Sequence, residues 1–176
     1  MDKIIEHFIK EPEREFYVRE FSKLLKKSPT TISKYLKKYE KEGILTSKES
    51  LNHLFFKANS TSRMFKSIKL SYNLNQLYKL GLVDYLEGKF NHPKAIILFG
   101  SFAKAEDAKN SDIDLLIVSS NKDEPDLEKF EKKIGKSIQL HIYSEKDIEI
   151  MKVKNKELLN NLINGILLSG YLELFR

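Results

Sequence analysis

In the first quarter of the chain apolar side chains recur at helical spacing, whereas in the second half they gather into short unbroken runs. Ile4, Ile5, Phe8 and Ile9 mark one amphipathic helix, and Val18 to Lys26 a second, with Phe21, Leu24 and Leu25 on one side. Ser28-Pro29-Thr30 breaks the pattern. Proline suits a first helical turn and the hydroxyls beside it suit a cap, so a third helix is expected from Thr31 to Glu42. Its inward positions are Ile32, Tyr35, Leu36 and Tyr39, and Gly43 stops it. Ile44-Leu45-Thr46, a polar stretch from Ser47 to Asn52 and the alternating run His53 to Lys57 predict a two-stranded hairpin. Arg63 to Lys89 is too apolar for a free linker and predicts one long helix, or two interrupted near Gly81. Tyr72, Tyr78 and Tyr85 within it read as core or interface anchors.

The unbroken runs begin with Lys94 to Phe99, a buried strand halted by Gly100-Ser101, with a helix opening around Phe102 to Ala105. A second strand is expected over Asp112 to Val118 and a third over Ser137 to Tyr143, separated by a charged, solvated helix from Glu124 to Lys136. Glu145 and Asp147 stand where a helix start favours acidic residues. Lys154 to Tyr171 reads as an amphipathic helix whose Leu158, Leu159, Leu162, Ile163, Ile166 and Leu167 cover a sheet face.

Charge separates the two halves. Residues 1–90 hold 18 Lys and Arg against 11 Asp and Glu, and residues 91–176 hold 13 against 14. Basicity confined to one half is the footprint of a nucleic-acid-binding module. The chain has no cysteine, which excludes disulfides and thiolate metal sites. No apolar segment approaches the roughly 20 residues that span a bilayer, and no secretory leader is recognisable, so a cytoplasmic protein is expected.

The candidate chemistry lies where the first two solid runs end and begin. Gly100-Ser101 is followed, after ten residues, by Asp112-Ile113-Asp114. Carboxylates two apart on a strand share a face, roughly 7 Å apart, and can hold Mg²⁺ together with phosphate oxygens. Gly100 lets backbone approach a triphosphate, and the Ser101 hydroxyl with the amides after it can meet negative charge.

This pairing resembles the nucleotidyltransferase superfamily, in particular its minimal branch, over roughly residues 90 to 170. The resemblance implies attack by an acceptor hydroxyl on the α-phosphate of a nucleoside triphosphate, by resemblance ATP, with Mg²⁺ on Asp112 and Asp114 as the catalytic carboxylates. Gly100, Ser101 and Lys104 would hold nucleotide. The family's third carboxylate falls at Gln139, which cannot act as a carboxylate base; His141, two residues on, is a substitute base or ligand, or else a polar side chain on the sheet's solvent side. Lys104-Ala105 stands where the family often has Arg-Gly, which keeps the charge and loses the planar fork. Two readings therefore stand: a transferase, and a domain that senses nucleotide without turning it over.

The stretch from Phe16 through Leu45 resembles the winged helix-turn-helix of microbial transcriptional regulators. That resemblance implies binding to double-stranded DNA, with Thr30, Thr31, Ser33, Lys34, Lys37 and Lys38 of the third helix facing the major groove, and a homodimer on two half-sites. The expected fold is α+β in two domains: a winged helix over residues 1–60, a helical linker over 61–89, and a nucleotidyltransferase-type domain with a mixed sheet over 90–176. An antitoxin-like role, which the minimal branch also suggests, fits less well with an attached winged helix.

Overall fold

The computed structural model describes residues 2–50 and 52–174 and divides the chain into two units, Met1–Lys69 and Leu70–Arg176. In the first, the Asp2 carboxylate accepts a hydrogen bond from the Ile4 amide at 3.0 Å and so caps α1 (Lys3–Lys10), which buries the four apolar residues that its spacing marks. The two-residue strand β1 (Phe16–Tyr17), too short to show alternation in sequence, precedes α2 (Val18–Leu25). That helix ends in a left-handed residue, Lys26, at φ 52°. Of Phe21, Leu24 and Leu25 only Phe21 is buried, and Leu24 is 52% exposed, so the inward stripe is narrower than the pattern predicts. Ser28 caps α3 (Pro29–Lys41) by accepting from the Thr31 amide, with Pro29 in the first turn. Ile32 and Leu36 face the core, while Tyr35 is exposed. Burial and the hydrogen bond that the Tyr39 hydroxyl donates to Asp2 push that phenol well above its ordinary range.

Strands β2 (Leu45–Ser50) and β3 (His53–Ala58) form the hairpin, in register from Leu45 opposite Ala58 to Ser50 opposite His53. The polar residues 47–50, expected as a loop, are ladder residues, because cross-strand pairing outweighs their weak strand propensity; Leu51 lies outside the described residues. β1 adds on the other side of β3, giving the order β1-β3-β2. Phe8, Phe16 and Phe21 meet with ring centroids 5.0 to 5.4 Å apart beside the buried Phe56.

Helix α4 (Arg63–Lys79) is followed by Gly81, at φ +70°, and α5 (Leu82–Lys89), so the apolar middle segment is two helices. The second unit then runs β4 (Ala95–Phe99), α6 (Gly100–Ala103), β5 (Ile113–Val118), α7 (Glu128–Ile134), β6 (Ile138–Tyr143), α8 (Glu145–Lys154), α9 (Lys156–Ile163) and β7 (Ile166–Gly170). The sheet order is β6-β5-β4-β7, with β5 and β6 parallel and the other pairs antiparallel, a mixed sheet as expected. One face (Ile96, Leu98, Ile113, Leu115, Ile117) packs with Leu82, Leu86, Phe90, Phe102 and Phe130. The other (Ala95, Ile97, Leu116, Val118) packs with Ile148, Met151, Leu159 and Leu162. The charged α7 is thus not wholly solvated, since Phe130 enters the core and meets Tyr85 at 5.1 Å.

The helix expected over Lys154 to Tyr171 is not continuous. Asn155 caps α9 by accepting from the Leu158 amide at 3.1 Å, and residues 166–170 are a strand beside β4. Leucines that fit a helical stripe fit a strand as well, so periodicity alone could not separate them. Gly165 permits the change: a Cβ there would lie 2.3 Å from the Leu98 carbonyl oxygen.

Helix α8 begins with a reciprocal box. Ser144 accepts from the Asp147 amide at 3.2 Å and the Asp147 carboxylate accepts from the Ser144 amide at 2.8 Å. The Ser144 backbone amide, then its hydroxyl, then Lys122, hold the Asp147 carboxyl down at about 2. Its contribution is complete above the ordinary value of 3.8 and is lost as pH falls through about 2. Ser144→Ala is expected to cost about 1 kcal/mol in denaturant unfolding; an unchanged midpoint would mean that the box does not stabilise α8.

Candidate active site

Strand β4 is buried along nearly its whole length and delivers the chain at Phe99, in extended conformation, to Gly100 at φ +72°. In the antiparallel register Phe99 lies opposite Asp114, which brings the turn against that carboxylate. A Cβ on Gly100 would stand 2.2 Å from Asp114 Oδ2. The glycine therefore has two structural reasons, a left-handed backbone and room for the aspartate, beside the expected approach to phosphate.

Ser101 is half-buried, and its carbonyl accepts from the Glu106 amide at 2.9 Å. The helix that contains it, α6, is a single turn anchored by the buried Phe102, and Lys104 ends it, exposed. Asp112 lies just before β5 and is exposed; Asp114 lies on the strand with its side chain 23% exposed. Burial, and secondarily the charge of Asp112, push the Asp114 carboxyl up, while His141 opposes the shift.

Gln139 is paired with Asp114 across the parallel β5–β6 register and is exposed. His141 is half-buried, with 25% of its side chain exposed. Its Nε2 is buried without a hydrogen-bond partner, 3.9 Å from Asp114 Oδ1, and its ring meets the Phe99 ring edge-on at 5.1 Å across β5.

The loop between turn and carboxylates is held by residues the sequence pattern did not reveal. Asn73 Nδ2 donates to the Phe102 carbonyl and to Asp107 Oδ1, both at 3.1 Å, and both side chains are buried. Lys136 Nζ lies 3.3 Å from Asp107 Oδ2 and donates to the carbonyls of Ala108, Lys109 and Ser111. Asn73 is one of many polar residues of α4, and nothing in the sequence pattern singles it out.

Among the described residues no group of three or more His, Asp and Glu side chains is gathered closely enough to hold a metal ion. Asp112 and Asp114 are a pair, which suits Mg²⁺, since that ion takes one or two carboxylates and completes its shell with phosphate oxygens and water.

A mixed sheet with a glycine-serine turn pressed against an Asp-x-Asp strand defines a nucleotidyltransferase-type domain. Residues 81–171 match the family model described as Polymerase beta, Nucleotidyltransferase, more than half of the chain, and the protein belongs to that family. No curated protein and no solved structure gives a significant match. The fold and the family together support nucleotidyl transfer as the general class of activity. Among the described residues no helix is long and apolar enough to cross a membrane.

Proposed function

We propose that the protein is a DNA-binding nucleotidyltransferase that uses Mg²⁺ and a nucleoside triphosphate, ATP by family resemblance. The observation that carries the enzymatic half is the contact of Gly100 with Asp114, because it unites the two motifs in one site. Asp112 and Asp114 would hold Mg²⁺, which when bound neutralises phosphate charge and activates an acceptor hydroxyl. Gly100 and Ser101 form the turn for the triphosphate, and Lys104 adds a positive charge at its end. The acceptor oxygen bonds to the α-phosphorus with loss of its proton, the bond from that phosphorus to the bridging oxygen breaks, and pyrophosphate leaves.

Exposed Gln139 beside Asp114 favours a second reading, a regulator that binds nucleotide without transferring it. Incubation with α-labelled ATP, GTP, CTP or UTP and Mg²⁺, with and without cell extract, separates the two. Label on an acceptor supports the transferase, and saturable binding without transfer supports the sensor. Neither binding nor transfer would overturn both.

The DNA-binding half rests on the order of helix, tight turn, helix and hairpin, which is that of a winged helix, and on the side chains of α3. Thr30, Thr31, Lys34, Lys37 and Lys38 are exposed and Ser33 is half-exposed. Thr31 is partly engaged, with its Oγ1 2.8 Å from the Ser28 hydroxyl, and Lys38 lies 3.8 Å from Glu42. Lys34 and Lys37 are thus the residues to test. A symmetric dimer would present two such helices to two half-sites. Lys34→Ala with Lys37→Ala is expected to weaken binding to duplex DNA about tenfold or more at moderate salt and to flatten its salt dependence by roughly two counterions. Affinity and salt slope equal to those of the wild type would remove α3 as the contact helix.

A further inference from the structure

We infer that the groove between the start of α1, the end of α2 and the flank of α3 receives an acidic amphipathic segment of a partner protein. The inference is independent of the nucleotidyl-transfer reading, since the groove lies within the first unit.

The groove holds about 530 Å³ and joins an apolar floor to a basic rim. Ile4 is buried at its base and Leu25 is half-buried, while Leu24 and Tyr35 stand open at 52% and 37% exposure. Among the described residues of this unit three large apolar side chains are left exposed, and two of them line this groove. Lys3, Lys26 and Lys27 stand exposed around it. Lys27 Nζ lies 5.9 Å from the centre of the Tyr35 ring, which sets a cation over the apolar wall itself. Asp2, the one carboxylate among the described lining residues, is already engaged, because it accepts from the Ile4 amide and from the Tyr39 hydroxyl.

A lysine rim around apolar anchors selects an occupant of the opposite arrangement, hydrophobic side chains at helical spacing flanked by Asp or Glu. Duplex DNA brings the charge but keeps its apolar bases stacked inside, with nothing to cover Leu24. A small molecule in its pocket is mostly buried, whereas this groove leaves Leu24 half open, as suits a length of chain laid along it. On α3, the repeat of about 3.6 residues per turn places Tyr35 roughly 100° from Lys34 and 160° from Lys37. The groove and the face proposed for DNA are therefore different sides of one helix.

The test titrates the isotope-labelled full chain with a short synthetic peptide, leucines at i, i+4 spacing and glutamates elsewhere, and with its lysine counterpart, reading backbone amides by nuclear magnetic resonance. The glutamate peptide is expected to shift the amides of Lys3, Ile4, Leu24 to Lys27 and Tyr35 saturably, and the lysine peptide to leave them unmoved. Leu24→Ser is expected to weaken binding about tenfold without changing affinity for duplex DNA. Lys3→Glu with Lys27→Glu is expected to reverse the choice of peptide. All three side chains are exposed, and unchanged spectra away from the groove confirm that the variants fold. Absence of saturable shifts, equal affinity for the two peptides, or binding that survives both variants overturns the proposal. Duplex DNA that moves the same amides and displaces the peptide overturns it as well, and makes the groove part of the DNA surface.

Discussion

Asp112→Asn combined with Asp114→Asn is expected to abolish Mg²⁺-dependent nucleotide binding and to reduce any transfer by at least about 10²-fold, while leaving the fold and low-salt DNA affinity intact. An amide preserves the shape of each side chain and removes both negative charges from the same end of β5. Thermal stability should not fall and can rise, because burial already disfavours the charged form of Asp114. Titration of nucleotide at fixed Mg²⁺, read beside a melting curve, checks both parts. Unchanged nucleotide affinity would remove the metal assignment, and a large drop in melting temperature would mean that the carboxylates hold the sheet together.

Gly100→Ala is the second large effect. The left-handed backbone at φ +72° costs a residue with a side chain about 1–2 kcal/mol, and the new Cβ would press on Asp114 Oδ2 from 2.2 Å. The carboxylate must then swing away, so nucleotide affinity is expected to fall by more than tenfold beyond any loss of stability. Gly81→Ala separates the two causes. Gly81 shares the conformation, at φ +70°, but has nothing within 4 Å of an added Cβ, so that variant incurs the backbone strain alone. Equal nucleotide affinity in the two variants would show that the turn and Asp114 are not coupled.

Much of the site was legible because its two signatures punctuate strands. Glycine after a solid apolar run, and aspartates alternating with Ile113 and Leu115, report backbone direction as well as chemistry. The family resemblance then predicted the mixed sheet, which the parallel β5–β6 pair and antiparallel β4 fulfil. Other features were invisible for definite reasons. β1 is two residues long, and β7 hides among leucines that suit either period. His141 could be placed on its strand but not assigned its environment, since that depends on Phe99 reaching it across β5. Asp107 and Lys136 are charged residues in polar surroundings, and only the path of the loop brings them together.

The grip of Lys136 on that loop also bears on how the molecule comes into being. Parallel strands cannot be joined by a tight turn, and β5 reaches β6 through α7. Lys136, the residue that fastens the carbonyls of Ala108, Lys109 and Ser111, is made only at the end of this crossover. During synthesis both sequence signatures therefore emerge well before Lys136 is there to hold the carbonyls ahead of Asp112. A nascent chain ending before Lys136 carries both signatures without this cation, so the loop ahead of Asp112 is fastened at both ends only after the crossover has been made.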